Sequence, residues 1–114
     1  MFLVESDSDL FLECIARELT RDHKPDDPIE SKAILAAGGR IDSYRDREGN
    51  KLGPERVWLK NEDIPGLAMS RSFGDQVACR VGVHAVPEVT EERMTPQDKV
   101  IILASDGVWE FLEN

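Results

Sequence analysis

The residues best suited to chemistry stand near the end of the chain. Val100-Ile101-Ile102-Leu103-Ala104 is an unbroken apolar run, followed by Ser105, Asp106 and Gly107. Its β-branched content predicts a strand buried on both faces. A carboxylate at the mouth of such a strand is costly to desolvate unless something pairs with it. For an oxygen ligand a divalent cation is a common partner. Gly107 would let the backbone turn sharply or let a ligand come close. The plainer alternative is that Asp106 caps a helix beginning at Val108, and on this stretch alone the cap is the better reading. Glu110 follows four residues after Asp106, on the amphipathic helix that Val108-Trp109-Glu110-Phe111-Leu112 begins.

A second chemical candidate is Arg71, within Gly66-Leu67-Ala68-Met69-Ser70-Arg71-Ser72-Phe73-Gly74-Asp75. Its planar fork suits a phosphate, held bidentately. Pairing with a carboxylate such as Asp75 is the simpler use, and local context favours it. Leu67, Arg71 and Gly74 share one helical face, which predicts a short helix closed by Gly74. His23 could serve as ligand or base, but no second ligand stands near it, so it reads as a hydrogen-bonded turn histidine. His84 reads as exposed. Cys14 and Cys79 have no metal-type spacing and read as reduced, half-buried thiols of an intracellular protein, cytoplasmic or nuclear.

The elements that would position these residues follow from local signals. The acidic patch Glu5-Ser6-Asp7-Ser8-Asp9 reads as a solvated turn, and residues 10–19 lean towards strand. Asp27-Pro28 is an N-cap followed by proline at the first helical position. Glu30 stands in the first turn, where the dipole favours it. Ile29, Ala33, Ile34 and Ala37 form the apolar face, and Gly38-Gly39 ends the helix. Residues 40–44 and 57–59 make a hairpin around a turn over 46–53. Residues 81–87 read as an interrupted edge strand, since Pro87 cannot donate to a ladder. Residues 88–94 read as a strand, and Thr95-Pro96-Gln97-Asp98 as the turn into the apolar run.

Composition narrows the function classes. With 114 residues the chain is sized for one domain. Fourteen basic against 23 acidic side chains, a net charge of −9, argue against nucleic acid or an anionic membrane as partner. No apolar run approaches the roughly 20 residues of a spanning helix, and the acidic start is no signal peptide.

Taken in order, Leu19-Thr20-Arg21-Asp22-His23-Lys24-Pro25, Ala36-Ala37-Gly38-Gly39, Gly66 to Asp75, Pro87-Glu88-Val89 and Ile102 to Trp109 resemble the metal-dependent serine/threonine protein phosphatases of type 2C. The resemblance runs from about Leu19 to the last residue. It implies an α+β fold, a fragment of a β-sandwich of antiparallel sheets flanked by helices, with residues 1–18 a divergent or truncated start. It implies phosphoprotein substrates and two cations, magnesium or manganese, per complete domain, which activate a water for in-line attack on phosphorus. On this resemblance Asp106 is a metal ligand. Glu110, where many members carry Asp, lies near the metals, and the hairpin over 40–63 belongs to the flap close to the site.

The family's Asp-Gly-His-Gly segment, its upstream Glu-Asp pair and Gly-Asp-Ser-Arg strand, and its downstream Asp-Asn motif have no counterpart here. The chain therefore reads as the C-terminal middle of a phosphatase domain with no complete catalytic set. It is expected to be inactive alone, with sheet edges open to self-association. The competing reading is a non-enzymatic module that binds or regulates a partner. A phosphotransferase using Asp106 as nucleophile fits less well, because Val108 stands where such enzymes carry a second Asp.

Overall fold

A computed structural model describes residues 2–6 and 14–109. The elements run β1 (Phe2–Ser6), β2 (Cys14–Glu18), α1 (Pro28–Ala36), β3 (Arg40–Arg45), β4 (Lys51–Trp58), β5 (Pro65–Leu67), α2 (Gln76–Cys79), β6 (Asp98–Ile102) and α3 (Asp106–Trp109). They fall into two compact units. One joins Met1–Arg21 to Glu88–Asn114; the other is Asp22–Pro87. Each contains a three-stranded sheet, ordered β2-β1-β6 and β3-β4-β5, and every pairing is antiparallel. The α+β class with antiparallel sheets is the one the sequence predicts.

In the Asp22–Pro87 unit, α1 starts where its cap dictates. The Asp27 carboxylate accepts from the Ile29 amide at 2.8 Å and the Glu30 amide at 3.3 Å, satisfying donors the first turn leaves open. The helix stops because Gly38 takes a φ of +83°, a conformation that costs glycine little. The buried stripe is not the expected one. Ile34 is buried, but Ile29, Ala33 and Ala37 are exposed, and Glu30, one turn before Ile34, is buried instead. Ile34 meets Val57, Ala78, Val81 and Val83 in one core cluster. Burying an isoleucine of this kind contributes about 1.5–3 kcal/mol.

The hairpin forms with longer arms than expected, since β4 already begins at Lys51 inside the segment read as turn. Asp46 closes the tip: its carboxylate accepts from the Glu48 and Asn50 amides, and its own amide donates to the Asn50 carbonyl at 3.0 Å. The short helix expected over 67–74 is absent. Residues 65–67 pair with β4 instead, and Gly66, at φ +74°, lies where a Cβ would stand 2.9 Å from the Trp58 ring. Beyond it the Ser70 amide donates to the His23 carbonyl and the Ser72 amide to the His84 carbonyl. Distant partners have taken the donors a local helix would use. The helix forms later, as α2, with Asp75 as its cap.

Two strand expectations also fail. Within 81–87 only one ladder contact survives, a parallel bridge between Arg71 and His84. The Val81 and Val83 amides turn back onto the Ala78 carbonyl. Residues 88–94 form no strand, and Val89 is exposed. Side chains tether this stretch: Arg21 donates to Glu88 at 2.9 Å and Arg17 to Glu92 at 3.1 Å. One valine among charged residues offers too little apolar surface to hold a ladder.

In the other unit, β2 falls inside the segment that leaned towards strand, and the acidic patch contributes Glu5 and Ser6 to β1; residues 7–13 lie outside the described residues. The apolar run does form a strand, β6, but not a buried one. Val100 is 51% exposed, Ile101 49% and Ile102 41%. Neither face of β6 is covered among the described residues. Cys79, on α2 in the Asp22–Pro87 unit, is exposed rather than half-buried. No helix among the described residues is long and apolar enough to cross a membrane.

Candidate functional site

Asp106 stands at the corner where β6 has ended and α3 begins. The Ser105 carbonyl accepts from the Val108 amide at 3.0 Å and the Trp109 amide at 3.3 Å, so the helix starts two residues earlier than the sequence suggests. Asp106 is therefore the first residue of the helix, not the residue before it. The Trp109 indole donates to the Ala104 carbonyl at 2.7 Å, tying the helix to the end of the strand. The Asp106 side chain is exposed. Gly107 does not make a sharp turn: it lies in the helix, and a Cβ there would meet Ser105 Oγ only at 3.7 Å. Among the described residues no group of three His, Cys, Asp or Glu is arranged to hold a metal. Glu110 lies outside the described residues.

Arg71 belongs to the other unit and has a different environment. Its Nε donates to Glu30 Oε2 at 3.0 Å and its Nη2 to Glu30 Oε1 at 2.6 Å, a bidentate pair. Nη1 donates to the Val86 carbonyl at 3.0 Å, and Ser70 Oγ donates to Glu30 Oε2 at 2.8 Å. The Glu30 side chain is 3% exposed and that of Arg71 16%. The expected carboxylate Asp75 is spent elsewhere, accepting from the Ala78 amide at 3.1 Å. An anion at Arg71 would have to displace Glu30. The group that joins α1, the Ser70-Arg71 segment and Val86 thus rests on a glutamate that sequence reasoning assigned to the helix dipole. Its position one turn before the buried Ile34 was the available signal, because a carboxylate on an apolar stripe requires a cation.

His23 lines a hollow of about 160 Å³ together with Arg71, Ser72, Phe73, Ala85, Val86 and Pro87. His84 is half-buried, and its Nδ1 accepts from the Val86 amide at 3.3 Å. On the hairpin, Tyr44 meets Trp58 edge-on with ring centroids 5.2 Å apart. Arg40 lies over the Trp58 ring, and Arg56 over Tyr44 at 4.8 Å. The Arg45 guanidinium, bonded to Asp42, holds that carboxyl below the ordinary aspartate value of 3.8. Asn50 does the same for Asp46 through its side chain and then its backbone.

The family described as Protein phosphatase 2C matches residues 3–114. Probable protein phosphatase 2C 12 of Oryza sativa subsp. japonica is 48% identical over 99 residues, covering 87% of this chain and 24% of that protein. Probable protein phosphatase 2C 72 of Arabidopsis thaliana is 44% identical over 99 residues, covering 87% and 29%. The crystal structure of serine-threonine phosphatase 2C from Toxoplasma gondii superposes with a TM-score of 0.75 at 28% identity, covering 98% of this chain and 36% of that one. The chain spans about a quarter of the length of the curated relatives it matches.

Proposed function

The chain belongs to the protein phosphatase 2C family, and from that premise we propose that it is part of a metal-dependent phosphatase acting on phosphoserine and phosphothreonine in protein substrates. The observation that carries this reading is the family match over residues 3–114. Asp106 supports it by position, an exposed carboxylate at a strand-to-helix corner that Trp109 ties in place. A hard carboxylate oxygen suits magnesium or manganese. Two such cations need several ligands, and the described residues offer no cluster to complete the set. This donor set does not fit a two-metal site by itself. Asp106 would be one ligand of a site completed by residues beyond the described ones, and Glu110, four positions on in the sequence, is a second candidate. Arg71 takes a positioning role in this reading, since Glu30 occupies its fork.

The test has two arms. The 114-residue chain, incubated with manganese and a phosphoserine peptide, is expected to show no turnover, and calorimetry no tight stoichiometric binding of magnesium. Robust turnover would overturn the expected inactivity of the isolated chain. In a longer protein containing this chain, metal-dependent release of phosphate lost on Asp106→Ala is the expected result. Full activity in that variant would remove Asp106 from the site.

A further inference from the structure

The turn Thr95-Pro96-Gln97-Asp98 leads into β6 and holds a hydroxyl that the fold does not use. Two bonds close it: the Asp98 amide donates to the Thr95 carbonyl at 3.1 Å, and the Thr95 amide donates to the Asp98 carboxylate. Lys99 folds back over the turn, its Nζ donating to the Pro96 carbonyl at 2.7 Å. The Thr95 hydroxyl enters none of these bonds and has no partner among the described residues. Thr95-Pro96 is also the only serine- or threonine-proline step in the chain.

The surroundings leave this hydroxyl within reach of an enzyme. Residues 88–97 are exposed and form neither helix nor strand. Arg21 and Arg17 tether Glu88 and Glu92, but beyond Glu92 the bonds among the described residues are local to the turn. Such a segment can be drawn out into extended form without breaking a ladder. A protein kinase binds its acceptor in a short extended stretch. A proline directly after the acceptor, with its fixed φ and missing amide hydrogen, is the feature that the proline-directed class selects.

A phosphate on Thr95 would carry a charge of about −1.5 to −2 at neutral pH. It would sit on the residue whose amide already holds the Asp98 carboxylate, and like charges that close disrupt a turn. Asp98 is the first residue of β6. The ladder is irregular there, since Glu5 pairs with Asp98 and Val4 with Val100, so that Lys99 is passed over. That end of the strand is already locally interrupted.

We propose that Thr95 is a phosphorylation site for a proline-directed serine/threonine kinase, and that the phosphate loosens the start of β6. In the transfer, Thr95 Oγ attacks the γ-phosphorus of magnesium-bound ATP. The bond from that phosphorus to the β–γ bridging oxygen breaks, ADP leaves, and the hydroxyl proton passes to the kinase's catalytic aspartate. Neither Asp106 nor the catalytic reading enters this step.

The full chain, incubated with each of two proline-directed kinases and magnesium ATP, is expected to take a phosphate at Thr95 from at least one of them, located by peptide mass spectrometry. Thr95→Ala should abolish that label, and Pro96→Ala should slow it about tenfold. In the phosphorylated chain, amide exchange at residues 98–100 should run about fivefold faster, with the Asp22–Pro87 unit unchanged. Asp98→Asn keeps an acceptor for the Thr95 amide but removes the charge, and should cut that acceleration to less than about twofold. No label at Thr95 from either kinase, or labelling indifferent to Pro96, overturns the site. Exchange at residues 98–100 that stays the same or slows, as it would if Lys99 or Arg93 clamped the phosphate, overturns the loosening. Both of these decisive measurements, the label and its effect on exchange, are made on the unsubstituted chain.

Discussion

The Asp22–Pro87 unit closes a core of its own, whereas the β2-β1-β6 sheet carries its longest apolar run in the open. In the first, Ile34 and Val57 are almost fully buried, and a buried carboxylate is met by Arg71 and Ser70. In the second, three adjacent aliphatic residues of β6 are each more than two-fifths exposed. The stretch whose composition most invites burial is the one left uncovered. Composition states what a segment needs, and packing depends on whether other layers are there to meet it.

Four experiments would break or sharpen that contrast. The largest effect is expected at Glu30. Glu30→Ala leaves the partly buried Arg71 without its Glu30 carboxylate, and breaking such a pair costs about 3 kcal/mol, the low end for a buried pair, read as a lowered urea midpoint of the Asp22–Pro87 unit. Replacing both partners, Glu30→Leu with Arg71→Met, should recover part of that loss. It will not recover all, because Ser70 Oγ and the Val86 carbonyl lose partners too. Next comes a matched pair of truncations. Ile34→Ala should cost about 3 kcal/mol through the cavity it leaves. Ile101→Ala, at a half-exposed site, should cost less than about 1 kcal/mol in the isolated chain. Equal costs in chemical denaturation would erase the distinction between the two units.

Asp27→Ala should cost about 1 kcal/mol through the lost cap, visible as faster hydrogen exchange in the first turn of α1, with exchange in β6 unchanged. The smallest effect concerns the exposed hairpin. Asp42 and Asp46 titrate below their ordinary value of 3.8 when folded. Their contribution is therefore present above that value and is lost as the pH falls through their lower folded values. Amide exchange at the hairpin tip should accelerate in that acidic window, and Asp46→Asn should blunt the change. A tip unaffected by acid would show that the Asp46–Asn50 bonds do not hold the turn.

Much of the fold was legible because its signals are carried by neighbouring residues. Asp27-Pro28 starts α1 and Gly38-Gly39 ends it, since capping and left-handed glycine are settled within a few positions. The hairpin followed from alternation around a polar turn, and β6 from a run of β-branched residues. Around Ser70 and Arg71 the sequence favoured a helix. There the outcome turned on His23, His84 and Glu30, 41 positions from Arg71.

The sequence by itself determined the start and end of α1, the existence of the hairpin and the strand character of β6, and its ordered motifs indicated the family. The tertiary structure alone decided that Glu30 and Arg71 pair largely out of solvent and that β6 stands exposed. The physical reason is that a cap or a turn is a free energy between adjacent residues, whereas burial and ion pairing depend on segments that only the folded chain brings together.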